Sequence, residues 1–271
     1  MAKTLILTPN HNLCCGMYQL AKDLAEELDG VVMTKENSLL LDGFSGNAFK
    51  DCEVVITFLY PMHKYGKKAK KMGLRWVCYD QGVPPVTKQY FPKFFRRQYM
   101  KWFSWVNERS KKGADEYWNV TKREQKPRWT ERISLRIDKN EVILTYHGVD
   151  LTRPYAIYIG RTTDYKNVDW LKKTMEELGI PLLHPESESD KVVHAFLSNA
   201  KLLVTASTWE GYGRPVMEAA ALKVPFVCFD TGAHKRQLLK SGGTGFVVPN
   251  HNFEMFEDKL REAWEMQKDE V

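Results

Sequence analysis

The chain has 271 residues, 43% of them hydrophobic, 27% charged and 12% aromatic, and a net charge of +6. That content excludes a disordered or fibrous chain, and no apolar run reaches the ~18 residues that cross a bilayer. Five cysteines with no CxxC pair offer neither a zinc knuckle nor a redox motif and suit a reduced, cytoplasmic protein. The mild positive balance suits anionic ligands or a membrane surface and falls short of nucleic-acid packaging.

Residues 3–8 read as a first strand, since their three consecutive apolar residues are too few for a secretory h-region. Helical spacing follows over 17–28, then strands at 31–34 and 53–59, a Lys-rich helix near 64–72 and a strand at 75–79. Further strands are expected at 115–120 and 141–146, with a hinge at 149–154. The α/β rhythm then restarts with strand 155–160, helices 167–178 and 191–198, strand 202–207 and helix 215–222. Strand 224–230, helix 234–241, strand 245–248 and a final helix over 253–267 complete it. β-branched runs alternating with helices predict parallel sheets with crossover helices, in two α/β halves.

The stretch 91–112 places Phe91, Phe95, Tyr99, Trp102 and Val106 on one helical arc and Lys93, Arg96, Arg97, Lys101, Glu108 and Lys111 opposite. An aromatic face packed on the sheet accounts for this. So does a basic face turned to an anionic acceptor or membrane surface.

Ligands of open parallel sheets sit outside the carboxyl ends of the strands. Three such ends carry chemistry here: His147-Gly148-Val149-Asp150, then Arg161 with Lys166, then Glu210-Gly211-Tyr212-Gly213-Arg214-Pro215 with Glu218 in the next helix. Pro215 suits a first helical turn, whose free N–H groups and dipole attract an anion. Arg161 and Lys166 add charge for a diphosphate. Carboxylates beside such an anion suit the vicinal hydroxyls of a ribose or hexose. Cations, helix N-terminus and diol-binding carboxylates together describe a nucleotide-sugar site.

Glu210 and Glu218, with seven residues between them, lie in EGYGRPVMEAAA, flanked by YHGVD (146–150), IGRTTDYKN (159–167) and GGTGFVVP (242–249). In this order they resemble the signature of retaining GT-B glycosyltransferases of family four, the group 1 type. The resemblance implies two Rossmann-like parallel-sheet domains facing a central cleft: an acceptor domain at 1–148, a donor domain at 149–255, and a helix at 256–271 that packs back on the first. It implies that Arg161 and Lys166 hold the diphosphate and stabilise the leaving nucleotide. Glu218, taken as an exposed first-turn residue, would bind ribose. Glu210 and the Gly211–Gly213 backbone, with Tyr212, would contact the sugar, while Gly148 lets the chain pass close to the ligand. The donor would be a nucleotide-diphosphate sugar, with no metal or other cofactor, and the chain lacks the Asp-x-Asp of the other large glycosyltransferase fold. The acceptor would be a glycan, lipid or other hydroxyl.

The first half departs from the pattern. Gly16 sits where the family has a glycine-rich loop, but Cys14-Cys15 replaces the second glycine. Cys78-Tyr79-Asp80 stands where a histidine is expected, which leaves His63 as the acceptor-side candidate. Only about twenty residues separate the helix at 167–178 from the strand at 202–207, where the family has a full strand–helix pair. Nucleic-acid binding or modification is disfavoured for want of a continuous basic stripe. A dehydrogenase is disfavoured for want of GxGxxG after the first strand. A catalytically inactive sugar-nucleotide-binding module is the remaining alternative.

Overall fold

The computed structural model describes residues 4–8, 16–34, 49–80, 93–119, 125, 127–138, 141–142, 145–186, 188–240 and 245–266. Its contacts divide the chain into two compact units, one ahead of Pro127 and one running from it.

The first unit contains β1 (Thr4–Thr8), α1 (Gly16–Glu27), β2 (Gly30–Thr34), β3 (Val54–Phe58), α2 (Leu59–Lys71), β4 (Arg75–Asp80), α3 (Lys93–Lys111) and β5 (Glu116–Asn119). Its strands are parallel in the order β2-β1-β3-β4-β5. Leu5, Leu7 and Val55 meet Met62, Tyr65 and Ala69 of α2, so helical and strand periodicities bury one common face.

The second unit opens with two hairpins, β6 (Arg136–Asp138) with β7 (Glu141–Val142), and β8 (Thr145–Tyr146) with β9 (Val149–Asp150). Then follow β10 (Ala156–Ile157), α4 (Val168–Glu177), β11 (Leu182–Leu183), α5 (Asp190–Asn199), β12 (Leu202–Thr205), α6 (Arg214–Ala221), β13 (Phe226–Phe229), α7 (His234–Lys240), β14 (Gly245–Val248) and α8 (Phe253–Glu265). This sheet repeats the same order, β11-β10-β12-β13-β14, again parallel. Ile157, Leu203, Phe226 and Cys228 point to one cluster; Ala156, Leu202, Val204, Val227 and Phe229 point to the other. That period of two, with helices on both faces, is why these strands read as unbroken apolar runs.

Several expectations change. The single strand expected at 141–146 is replaced by hairpin pieces outside the parallel sheet, and β9 takes the start of the supposed hinge. The unit boundary falls earlier than 148/149, because Trp129 is buried in the second core and the His194 ring and Asn199 amide bond the carbonyls of Glu131 and Ile133. The last helix buries Phe256, Leu260 and Ala263 in the second unit's own core, packed with Phe229 and Val248. Ahead of α5, the helix expected at 191–198, stands the strand β11 that the sequence reading lacked. Two leucines between Pro181 and Pro185 are too short a run to show periodicity.

The helix α3 forms as expected, but with a different face inward. Trp102 and Trp105 are 50% and 56% exposed, whereas Asn107 and Lys111 are buried. The Lys111 ammonium reaches Asp80 and Glu108, each at 2.6 Å, and this buried pairing turns the Lys111 side inward. Phe91 lies outside the described residues, and the side chains at 93–100 are not described. Among the described residues no helix is long and apolar enough to cross a membrane.

Candidate functional site

An order of 2-1-3-4-5 reverses between its first and third strands, and that switch point opens a crevice at the carboxyl edge. In the second unit it lies between β10 and β12. The loop after β10 carries Arg161 and a 3₁₀ turn, Asp164–Lys166; the loop after β12 carries Glu210. The two loops are tied together. The Thr208 amide donates to the Tyr165 carbonyl at 2.8 Å, the Asn167 side chain donates to the Ala206 carbonyl at 2.7 Å, and the Tyr165 and Trp209 rings meet edge to face.

Across the switch point the Lys166 ammonium bonds the Glu210 carboxylate, both side chains being mostly buried. Burial, the largest single influence, raises the Glu210 carboxyl, but the adjacent Lys166 charge together with hydrogen bonds from Lys166 and Ser207 holds the group below its ordinary value. Arg161 is exposed and makes no ion pair among the described residues, so it is the ready cation of the loop.

Gly213 caps α6 at φ +87°, and Pro215 lies in the first turn. A Cβ on Gly213 would stand 2.1 Å from Nε2 of His234. Both the left-handed backbone and this close approach demand glycine. His234 is buried and donates from Nδ1 to the Phe229 carbonyl at 2.7 Å, which leaves Nε2 as the lone-pair nitrogen facing Gly213. Burial lowers its pKa, so the ring is neutral. Tyr212 is also buried, its hydroxyl accepting from Gln237 at 2.9 Å, and its carbonyl accepts from the Ala233 amide at 3.0 Å. The loops after β12 and β13 are thereby joined behind the N-terminus of α6. Gly211 lies half-buried in the same turn.

Glu218 is not an exposed first-turn residue. It lies in the second turn of α6, 0% exposed. Arg128 holds it through both oxygens, Nε to Oε1 at 2.5 Å and a terminal guanidinium nitrogen to Oε2 at 2.8 Å. Arg214 lies 3.8 Å away.

Gly148 likewise has a different setting. His147 at φ +48° and Gly148 at +80° are the two central residues of the β8–β9 turn. Positive φ at both is the mark of a two-residue type I′ hairpin, and the exposed turn accounts for the glycine. Glu186, Glu188 and Asp190 have separate partners in Thr162, Tyr146 and Arg128.

In the first unit Gly16 begins α1, and Cys14 and Cys15 lie outside the described residues. His63, in the first turns of α2, is 1% exposed. Its Nδ1 lies 2.9 Å from the Thr57 hydroxyl and its Nε2 3.4 Å from Cys78 Sγ, while the Trp76 indole donates to the same hydroxyl at 2.8 Å. Burial, then the nearby Lys111 charge, lowers its pKa to about 4, and burial pushes Cys78 up to about 12. A neutral, enclosed imidazole with its nitrogens already engaged does not meet a substrate. His63 is therefore a core residue, and the apolar run of β4 that carries Cys78 is its lining.

Sequence reasoning missed Arg128 and His234. His234 follows β13 by five positions, so the strand-end rule reaches it. Arg128 sits in an irregular segment with no local signal, and only the tertiary structure brings it to Glu218.

Residues 182–271 match the family model described as Glycosyl transferases group 1. No curated protein matches the sequence. Among solved structures, the chain is similar to sucrose-phosphate synthase from Thermosynechococcus elongatus, with 14% identity, a TM-score of 0.65, and coverage of 97% of this chain and 90% of that one. It is similar to WaaG, a glycosyltransferase involved in lipopolysaccharide biosynthesis, at 13% identity and TM-score 0.58, with the same 97% and 90% coverage. The Anabaena HepE structure with UDP and glucose aligns at 11% identity and TM-score 0.56, also over 97% and 90%. The fold is GT-B, with two Rossmann-like units of one parallel five-stranded sheet each.

Proposed function

We propose that the chain is a retaining, metal-independent glycosyltransferase that moves a sugar from a nucleotide-diphosphate sugar to an acceptor hydroxyl. The observation that carries this reading is the Lys166–Glu210 pair bridging the switch point of the second sheet, with Arg161 on the same loop as Lys166 and the glycine-capped start of α6 following Glu210. The group 1 family match over 182–271 supports it.

Negative charge grows on the diphosphate as the glycosidic bond breaks. Arg161 and Lys166 are the fixed cations for that charge, and interactions stronger in the transition state lower the barrier. These side chains take the place of a metal. Glu210, kept ionised by Lys166, accepts hydrogen bonds from sugar hydroxyls and orients the sugar. Its loop is braced by Tyr212 and His234. Retention of configuration is the outcome implied by the family resemblance, with the leaving phosphate oxygen assisting the incoming hydroxyl.

The acceptor belongs to the first unit, with Gly16 at the start of α1 as its candidate contact and no role for His63. Exposed Trp102 and Trp105 of α3 lie among Lys101, Arg109 and Lys112, and Lys67 of the adjacent α2 bonds the Arg109 carbonyl. Interfacial tryptophans within a net positive surface complement an anionic bilayer, which favours an acceptor presented at a membrane by peripheral contact. Incubating the protein in EDTA with UDP-, GDP- and ADP-sugars, with NMR of the product, tests the reading. An α-linked product from an α-linked donor is expected. Loss of activity to chelator, restored by Mg²⁺ or Mn²⁺, contradicts the metal-free mechanism.

A further inference from the structure

We infer that Arg128 occupies the place of the donor ribose at Glu218, so that only a ligand bringing an anion for Arg161 and Lys166 as well as a diol for Glu218 binds measurably. This rests on the donor-site reading above and adds a residue to it that no motif contains. Glu218 is sealed, and the group that seals it is the Arg128 guanidinium, two N–H groups pointing at two carboxylate oxygens. A vicinal diol would present the same pattern, two O–H donors to two oxygens. Since Glu218 is 0% exposed, no ligand reaches it while Arg128 stays.

The two partners differ in freedom. Glu218 is fixed within α6, whereas Arg128 stands in a segment without helix or strand, with its side chain 20% exposed. The guanidinium lies over the Trp129 ring at 4.2 Å, and its second terminal nitrogen bonds Asp190 at 2.6 Å. Asp190 is half exposed, so a displaced Arg128 keeps a partner on the solvent side. Exchanging a charged bidentate donor for a neutral diol is unfavourable by itself. The diphosphate contacts must offset it, and a nucleoside alone has none. Opening is a common cost for every ligand of Glu218, and it reduces each apparent affinity by the same factor.

Calorimetric titration of the wild-type protein, Arg128→Gln and Arg128→Lys with UDP, GDP, ADP and their nucleosides, all in EDTA, tests this. For the base that binds, Arg128→Gln tightens the nucleoside diphosphate by roughly tenfold and brings the nucleoside, unmeasurable on the wild type, into the measurable range. Arg128→Lys, which keeps the charge and loses the fork, tightens both by less. Should a melt show Arg128→Gln unfolded, the sign of the Arg128→Lys change decides. Weaker binding in the variants would make Arg128 a ligand contact, and unchanged affinity a structural brace; either overturns the guard and leaves the donor site standing. Absence of any nucleoside diphosphate binding to all three proteins would overturn both.

Discussion

Both sheets run in the order 2-1-3-4-5, and both place a polar side chain just past a strand that borders the switch point, yet the two settings differ. In the first unit His63 is 1% exposed, bonded to Thr57, lined by Cys78 and held neutral. In the second, Lys166 and Glu210 are paired across the switch point and set in loops that stand above the strands, with the Glu210 carboxyl held below its ordinary value. The difference shows that a strand-end position is permissive only. A histidine that turns inward becomes core, while Lys166 at the corresponding place in the second sheet meets the Glu210 carboxylate, and its use by a charged ligand is part of the proposed function.

The largest expected effect breaks the second setting. Lys166→Ala removes a cation from the leaving diphosphate and should lower kcat by roughly 10²–10³, with a smaller change in donor KM. Steady-state kinetics over donor concentration check it, and a pure KM effect would place Lys166 in ground-state binding alone.

The next prediction concerns the first setting. His63 binds a proton near pH 4 in the fold and near 6.5 in the unfolded chain. As pH falls through that window the unfolded chain alone gains the proton, so stability is full above 6.5, declines toward 4 and is level below. The loss is up to about 3 kcal/mol. Denaturant melts between pH 7 and 4 measure it, and His63→Gln should flatten the decline while sparing kcat of the folded fraction.

Gly213→Ala sharpens the comparison from the backbone side. It puts a methyl against the His234 ring at positive φ and should cost about 2 kcal/mol, read as a fall in Tm. An unchanged Tm would mean the α6 start is looser than drawn. The smallest effect belongs to the surface of α3. Trp102→Ser with Trp105→Ser should reduce binding to phosphatidylglycerol-containing vesicles several-fold and leave nucleotide affinity unchanged; equal binding of wild type and variant would remove the membrane from the acceptor reading.

The polar loops after β10 and β12 were legible because their chemistry is local: Arg161 and Lys166 are five residues apart, and Glu210 through Pro215 are consecutive. The central strands of both sheets were legible because burial on both faces makes β1, β3, β4, β12 and β13 largely apolar runs. What escaped was set by distant partners. Glu218 looked exposed because nothing near it in sequence announces Arg128, ninety positions away. His63 looked available because the Thr57–Trp76–Cys78 lining comes from neighbouring strands. Gly148 was read as a place where the chain passes close to a ligand, and its position in a turn appears only in the pairing of Tyr146 with Val149.

The central claim is that the switch point of the second sheet binds the diphosphate of a nucleotide sugar without metal. The most direct measurement is calorimetric titration of the wild-type protein and Lys166→Ala with UDP, GDP and ADP in excess EDTA. The account predicts saturable binding of one nucleotide to the wild type and binding at least tenfold weaker in a folded Lys166→Ala protein. Absence of binding without added divalent cation, or equal affinity in the two proteins, would contradict it.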